Sequence, residues 1–312
     1  MTTKFEVDIW GHSLAGKTAL LLGLYDYLKQ EYEVHGTGIG DLKASETLKA
    51  MRTEVIDHGI LKRSEHSETI SYQFDDCNFE ITAQTGEFFG SLNDKKVKEH
   101  TRNNKLLIIA INPFSLGVKN LSSNTAGNGT IAWQGFNRFV STLRDAGKSE
   151  VDAATEGLNR LFSIDISQPI HGGFNSAIRG TTSVDMGKLE ELIDHYFTKL
   201  DFSTKTKNLL DIFSRVRNSR YMIVITHGDV LDSFLKYNYQ QTIKTIGTLL
   251  SEKMLRSIQV RQIYVSSTIH LSLKINGELK FEFDSGSAKI FHNQILSFMP
   301  RRRWSWLPQN RT

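Results

Sequence analysis

The 312-residue sequence contains one cysteine, Cys77, so an internal disulfide and a cluster of metal-binding thiolates are both excluded. No apolar run reaches the roughly 18 to 20 uncharged residues of a membrane-spanning helix, and the first residues have the pattern of a strand instead of a cleavable leader. The net charge is only +4, and the basic residues are spread along the chain, so no nucleic-acid partner is expected. We therefore expect a soluble cytoplasmic protein whose mature form is the whole chain.

Strand-like and helix-like segments alternate through much of the sequence. Strands are predicted at residues 4–10, 105–111, 221–226 and 259–266, and helices at residues 18–32, 41–58, 230–253 and 288–298. The continuous apolar run at residues 105–111 is typical of a strand that is covered on both faces. Because parallel strands require helical crossovers, this order predicts an α/β fold with a mostly parallel sheet covered by helices on both faces.

Two further pairs of segments have the pattern of antiparallel hairpins. Residues 68–74 and 79–83 alternate apolar and polar side chains around a turn of Asp and Asn residues. Asn276 and Gly277 form a dipeptide that is typical of a tight hairpin turn, and alternating apolar residues flank it.

Residues 113–220 differ in character and predict a helical insertion between two sheet strands. Helical spacing of apolar residues follows 131–146, 151–162, 184–200 and 205–216, whereas the polar, Gly-rich residues 167–183 predict a solvated loop, or else a lid or partner contact around His171. The predicted organisation is a sheet domain at 1–112 and 221–300, the insertion at 113–220, and a basic, aromatic tail at 301–312.

A phosphate-binding loop is predicted between the first strand and the first helix. Its sequence, GHSLAGKT, is formed by Gly11, His12, Ser13, Leu14, Ala15, Gly16, Lys17 and Thr18. Glycines at these positions let backbone N–H groups and a helix N-terminus surround phosphate oxygens. In this motif Lys17 reaches the β- and γ-phosphates, and the Thr18 hydroxyl holds Mg²⁺. The alternative is a Gly-rich turn that matches by chance.

The motif order resembles the Ras-like, or translation-factor (TRAFAC), class of GTPases. After the phosphate loop, residues Thr226, His227, Gly228 and Asp229 follow a predicted strand, as the base-reading motif of that class does. The resemblance implies that the Asp229 carboxylate accepts the N1 and N2 hydrogens of guanine, and that the His227 ring lies over the base. Ser266 and Ser267 are similar to the last loop of the class, whose backbone N–H groups meet guanine O6. An ordinary helix cap is the alternative role for Asp229.

The chain departs from that class at the third motif, where Ala83 replaces the aspartate that holds Mg²⁺ through water. Gly86 matches the glycine that touches the γ-phosphate, and Glu87 falls where the class orients the attacking water. Counting back from Ala83 by the class's usual spacing makes Ser64 the leading candidate for the switch residue that binds the metal, followed by Ser67 and Thr69. The resemblance also makes Arg63, beside Ser64, a candidate for an arginine that stabilises transition-state charge. Each of these residues has an alternative role as a plain loop residue.

The resemblance implies a GTP- and GDP-binding protein that needs Mg²⁺, hydrolyses GTP slowly and acts on an unknown protein partner through the helical insertion. Its mixed motifs are also similar to the double-GTPase (DO-GTPase) type domains of prokaryotic conflict systems. Two alternatives are an interaction module that binds nucleotide without turnover, and an ATPase or small-molecule kinase. The Arg- and Trp-containing tail predicts at most a weak peripheral contact with a membrane.

Overall fold

The computed structural model describes residues 3–12, 15–34, 38–62, 64–86, 105–112, 131–162, 164–178, 183–196, 220–229, 263–273 and 278–299. The helices and strands within these ranges are numbered here in chain order. The strands are β1 (Thr3–Trp10), β2 (Ile39–Ala44), β3 (Glu68–Phe74), β4 (Cys77–Ala83), β5 (Leu106–Ile111), β6 (Arg220–Ile225), β7 (Ile263–Val265), β8 (Ile269–Leu273) and β9 (Leu279–Phe283). The helices are α1 (Lys17–Glu33), α2 (Glu46–His58), α3 (Ile131–Asp145), α4 (Glu150–Phe162), α5 (Gly172–Ile178), α6 (Met186–Asp194) and α7 (Ser285–Ser297).

Seven strands form one mostly parallel sheet, and this confirms the predicted α/β fold. The strand order is β2-β3-β4-β1-β5-β6-β7, in which β3 runs antiparallel to both of its neighbours and the other pairs are parallel. Strands β8 and β9 form a separate antiparallel hairpin, as the sequence predicts. Every residue of β5 is buried, in agreement with the prediction of a strand covered on both faces.

Helix α1 and the centre of the sheet form the main hydrophobic core. Apolar residues that alternate along β1, namely Phe5, Val7 and Ile9, pack in one cluster with the buried leucines of α1 and with Phe291 of α7. Because β1 lies in the middle of the sheet, burial on both of its faces fixes the position of the loop that follows it.

The predicted helix at residues 41–58 is wrong in its first part, because residues up to Ala44 form the edge strand β2. Strand β2 pairs antiparallel with β3, and Ser45 then begins α2 as its N-cap, where its hydroxyl accepts the Leu48 backbone N–H at 3.3 Å. The short segment has no strong periodicity of its own, so hydrogen bonds to an exposed strand decide its structure.

The prediction of a solvated loop at residues 167–183 is also wrong where the structure describes it. A 3-10 turn at Pro169–His171 leads into α5, which buries Phe174, Ala177 and Ile178. His171 lies edge-on to Phe174, with ring centroids 6.4 Å apart. Polar composition hid three well-spaced apolar residues, and their burial outweighs the low helix propensity of the glycines.

Two further predicted segments are described in part. Within the predicted helix at 184–200, α6 begins after Asp185, which caps it by accepting the Lys188 backbone N–H at 2.9 Å, and residues 197–200 lie outside the described residues. Within the predicted strand at 259–266, β7 covers Ile263–Val265, and residues 259–262 lie outside the described residues. The predicted helices at 205–216 and 230–253, the turn at Asn276 and Gly277, and the tail at 301–312 lie outside the described residues. Within the described ranges, no helix is long and apolar enough to cross a membrane.

A second hydrophobic cluster is formed by helices α3 to α6, which follow β5 and precede β6. Its largest fully buried side chains are Phe136, Phe139 and Phe162. Leu279 of β9 belongs to the same cluster, and Leu271 of β8 packs against it. We refer to α3–α6 as the helical bundle. The division of the chain into a sheet domain and an inserted domain stays a prediction.

Arg160 of α4 connects the helical bundle to the end of α2 and to the β8–β9 hairpin. Its guanidinium donates to the backbone oxygens of Gly59 and Leu279, at 3.4 and 3.3 Å, and lies 5.2 Å from the ring centroid of Phe281. The Gly59 oxygen also accepts the Phe281 backbone N–H at 2.9 Å. One side chain of the bundle is therefore bound to the end of α2 and to the β8–β9 hairpin.

We expect Arg160→Ala to lower the free energy of unfolding by about 2 kcal/mol, because two backbone acceptors and a ring lose a charged partner. Arg144→Ala is the matched control, since Arg144 forms an exposed ion pair with Glu150 and should cost less than about 0.5 kcal/mol. Urea titration of both variants measures this difference. Equal losses in the two variants would contradict the bridging role of Arg160.

His292 of α7 is buried against β3. Its Nε2 lies 2.9 Å from the Tyr72 hydroxyl, and aromatic rings of Tyr27, Tyr72 and Phe74 surround it. Burial lowers the pKa of His292 from 6.5 to about 4. The folded protein therefore keeps this imidazole neutral over a pH range in which the unfolded chain binds a proton.

This difference in pKa predicts acid sensitivity. The folded pKa is the lower one, so the stabilisation is complete above pH 6.5 and is lost as the pH falls towards 4, by about 3 kcal/mol in total. His292→Gln keeps a partner for Tyr72 but cannot titrate. Urea titrations at pH 7 and pH 4 should show a smaller loss in His292→Gln than in the wild type. Identical losses would show that His292 does not cause the acid sensitivity.

Candidate functional site

The carboxyl ends of the parallel strands bring the predicted motifs to one edge of the sheet. Backbone hydrogen bonds hold the loops there: Gln84 N–H donates to Ile9 O, Thr226 N–H to Ile111 O, and Ser266 N–H to Ile225 O, each at 2.9 to 3.0 Å. Ligands of open α/β sheets bind at this kind of edge, because loops from several strands converge there. The loops after β1, β4, β6 and β7 therefore adjoin one another.

The phosphate loop leaves the sheet at Gly11, where no side chain fits. A Cβ atom on Gly11 would lie 2.6 Å from the backbone oxygen of Ala110 in β5 and 2.9 Å from the Ala15 Cβ. Gly16 has a left-handed φ of 73° directly before α1. Both glycines of the motif are thus required by the backbone. Ser13 and Leu14 lie outside the described residues, so their roles stay predictions.

Lys17 is the first residue of α1 and lies 93% buried against the loop. Its Nζ donates to the backbone oxygens of Gly11 at 2.8 Å and His12 at 2.7 Å. These two hydrogen bonds hold the positive charge at the centre of the loop. Phosphate oxygens that enter the loop would meet this ammonium group together with the N–H groups at the start of α1.

The residues available to hold Mg²⁺ are few. Thr18, whose side chain carries a hydroxyl, is half-buried in the first turn of α1, whereas Ala83 at the end of β4 contributes no carboxylate. Among the described residues, no group of three or more His, Cys, Asp or Glu side chains could hold a metal ion. Mg²⁺ commonly keeps several waters and binds through substrate phosphates, so Thr18 fits it as a single protein ligand.

The loop after β6 packs directly on the phosphate loop. A Cβ atom on Gly16 would lie 3.0 Å from the Thr226 Cβ. The Thr226 hydroxyl donates to Ile111 O at 3.2 Å and lies 2.8 Å from His227 Nδ1. Burial lowers the pKa of His227, and the Asp229 carboxylate partly opposes this shift, so the ring is neutral at pH 7.

Asp229 is oriented by hydrogen bonds from the segment that follows β7. Its Oδ1 accepts from the Ser267 hydroxyl at 2.5 Å, and its Oδ2 accepts from the Leu271 backbone N–H at 2.9 Å. A carboxylate has about four lone-pair positions, so these two bonds leave acceptor capacity for a ligand. The sequence pointed to Asp229 and Ser267 separately, but it gave no signal of the backbone N–H of Leu271.

Thr268 joins the same segment to the helix that follows the phosphate loop. Its hydroxyl donates to Ala19 O at 2.9 Å, and a Cβ atom on Gly23 of α1 would lie 2.4 Å from the Thr268 Cβ. Gly23 is therefore needed where the two segments touch. A glycine in the middle of an apolar helix was the one sequence signal of this contact.

The structure places Ser64 at the correct edge of the sheet but binds it away from the phosphate loop. Its hydroxyl donates to Glu68 Oε1 and to the His66 backbone oxygen, each at 2.7 Å. Glu68 is buried and also accepts from the Ser45 hydroxyl at the start of α2. Among the described residues no hydrogen bond joins Ser64 to Lys17 or Thr18, so its role as a metal ligand stays a prediction.

The loop after β4 follows the neighbouring strand out of the sheet. Gly86 is half-buried and lies three residues after Ala83, whose strand pairs with β1. The Gln84 side chain is 3.2 Å from the Ser67 hydroxyl and 3.4 Å from Asp8 Oδ1. The Gln84 side chain thus contacts residues of two neighbouring segments, the one before β3 and strand β1. Glu87 lies outside the described residues, and so does Arg63, which precedes Ser64.

A cavity of about 320 Å³ adjoins the base-reading loop. It is lined by Asp229, Ser266 and Ser267, by His270 of β8, by Asp284 and by residues of α7, including Gln294. Within the described part of the chain, no phosphate-loop residue lines it. The cavity therefore includes residues of the predicted base site.

Comparisons with known proteins give a distant structural likeness. No model of a known protein family matches the sequence, and no curated protein is similar to it. Two solved structures of the S. cerevisiae Ski7 GTPase-like domain, one bound to GDP and inorganic phosphate and the other to GTP, are similar with a TM-score of 0.32 each. Their sequence identities are 11% and 10%, over 85% of this chain and 43% and 42% of theirs. This chain thus spans less than half the length of those chains.

Proposed function

We propose that the protein binds guanine nucleotides at the edge of the sheet. The observation that carries this proposal is the contact between Gly16 of the phosphate loop and Thr226 of the base-reading loop. Two loops with separate sequence signals lie side by side at Gly16 and Thr226, which supports a site in which one mononucleotide binds both Lys17 and Asp229.

Each group has a distinct role in this proposal. Backbone N–H groups of residues 11–18 and the Lys17 ammonium bind the phosphates, and Thr18 holds Mg²⁺, which would supply charge neutralisation of the β- and γ-phosphates. Asp229 accepts the two guanine N–H donors, and backbone N–H groups at Ser266 and Ser267 face the guanine oxygen. Adenine has no such donor pair, so the Asp229 carboxylate selects against it.

We further propose that GTP hydrolysis is slow and that the nucleotide state acts on a protein partner through the helical bundle. Gly86 would contact the γ-phosphate and Glu87 would orient water, with Ser64 as the candidate switch residue. Ala83 supports slow turnover, because the metal lacks the carboxylate that normally fixes its water shell.

Isothermal titration calorimetry with GDP and ADP tests nucleotide binding. We expect GDP to bind at least about 100-fold more tightly than ADP, since adenine offers no donor pair to the remaining acceptor positions of the Asp229 carboxylate. Equal affinity for the two nucleotides would contradict guanine selectivity and favour the ATPase or kinase alternative. No binding of either would contradict the whole proposal.

The second candidate function is an interaction module that binds GTP without hydrolysing it. Ala83 and the single hydroxyl ligand Thr18 favour it, because both weaken metal-assisted stabilisation of the transition state. A single-turnover assay with excess protein over GTP distinguishes the two candidates. Slow, Mg²⁺-dependent release of phosphate supports a GTPase, and complete retention of GTP over a day supports the module.

A further inference from the structure

We propose that the helical bundle sets guanine selectivity through the β8–β9 hairpin, with Leu279 as a positioning residue for Asp229. This inference rests on the proposed function. It concerns how a carboxylate in the base site is held in place by residues that do not touch the nucleotide.

The first step is the dependence of Asp229 on the hairpin. Both of its carboxylate oxygens are oriented by donors from one segment, the Ser267 hydroxyl at 2.5 Å and the Leu271 N–H at 2.9 Å. Leu271 is a residue of β8, so a shift of that strand moves a hydrogen-bond donor of Asp229. A carboxylate that reads two parallel N–H groups depends strongly on its orientation.

The second step is the attachment of the hairpin to the bundle. Leu279 of β9 is 96% buried within the bundle's hydrophobic cluster, and Leu271 packs against the same cluster. Leu271 and Phe281 are paired across the two strands, and Arg160 of α4 donates to Leu279 O. The position of β9, and with it the position of Leu271, is therefore fixed from the bundle.

The β8–β9 hairpin also contacts the main hydrophobic core. A movement of the hairpin therefore breaks contacts either with the helical bundle or with that core. Phe281 and Phe283 pack against the main core, and the Asp284 N–H donates to Thr268 O at 3.0 Å at the base of the hairpin. A displacement of the hairpin at the bundle therefore also shifts the segment that contains Thr268 and Ser267. Coupling between two sites is reciprocal. If the packing of the bundle changes the free energy of guanine binding, guanine binding changes the free energy of that packing by the same amount.

The test measures GDP and ADP affinities by calorimetry on the full chain. Leu279→Ala opens a cavity where the hairpin packs against the helical bundle. Leu143→Ala is the matched control, because it makes the same truncation at a buried position of α3. We expect Leu279→Ala to weaken GDP binding about tenfold, within the usual range of coupling between sites. ADP affinity should stay within about twofold of the wild type, because ADP does not use Asp229. Leu143→Ala should leave the ratio of the two affinities unchanged.

If Leu279→Ala fails to fold, Arg160→Ala provides a milder change at the same contact between hairpin and bundle. We expect it to weaken GDP binding about threefold and to leave ADP binding unaffected. If Leu279→Ala or Arg160→Ala folds and keeps the wild-type ratio of GDP to ADP affinity, the inference is overturned and the proposal of guanine binding is not affected. A wild type that binds GDP and ADP equally would overturn the proposed function and this inference together. The wild-type baseline thus separates the two failures.

Discussion

Replacing Lys17 with methionine is expected to weaken GDP binding about 1000-fold, corresponding to about 4 kcal/mol. The Nζ of Lys17 lies in the loop within 2.8 Å of two backbone oxygens, so its charge is positioned before a nucleotide enters. Charge-assisted hydrogen bonds to phosphate contribute about 1.5 to 3 kcal/mol each, and methionine removes more than one of them. Calorimetry with GDP measures this loss.

Lys29→Met is the matched control. Lys29 lies towards the other end of α1, and its substitution removes the same charge from the protein. Thermal unfolding of both variants establishes that the helix still forms. GDP affinity within threefold of the wild type in Lys17→Met would show that the loop does not bind phosphate.

Replacing Asp229 with asparagine is expected to weaken GDP binding about 1000-fold while leaving ADP binding unchanged. The amide keeps the size of the side chain but presents a donor to one of the two guanine N–H groups. It also loses one of the acceptors for Ser267 and Leu271, so we expect a decrease in stability of about 1 to 2 kcal/mol. Parallel titrations with GDP and ADP measure the change in selectivity.

Asp57→Asn serves as the control, since Asp57 is an exposed residue of α2. A purely structural role for Asp229 makes a different prediction. In that case the variant would lose stability, and its affinities for GDP and ADP would fall by the same factor. That result would remove Asp229 from the base site.

The sequence was sufficient to predict the sheet strands other than β2 and the positions of the loops that follow them, because these depend on local patterns. The phosphate loop lies between a buried strand and a helix, and Gly11 and Gly16 are required by close contacts that the motif already implies. Thr226 and Ser266 follow β6 and β7, as their positions after apolar runs predicted.

The contacts that orient Asp229 could not be predicted, because they join residues about 40 positions apart through a backbone N–H. Every non-proline residue has such a group, so Leu271 has no distinguishing signal. The partnership between Ser64 and Glu68 was missed for a similar reason, since a buried carboxylate in a strand looks like an ordinary solvated one until its partners are known.

The two errors in secondary structure have one physical cause. Residues 39–44 and 172–178 have weak local preferences, and each adopts the conformation that its neighbours require. Strand β3 offers an unpaired edge to the first segment, and the bundle offers an apolar surface to Phe174 and Ile178 in the second.

A crystal structure of the full chain with GDP and Mg²⁺ would test the central claim most directly. We predict that the phosphates lie against the backbone N–H groups of residues 11–18 and the Lys17 ammonium, with the guanine N1 and N2 groups within hydrogen-bond distance of the Asp229 carboxylate. Density for GDP in which the base lies away from Asp229, or in which the phosphates lie outside this loop, would contradict it.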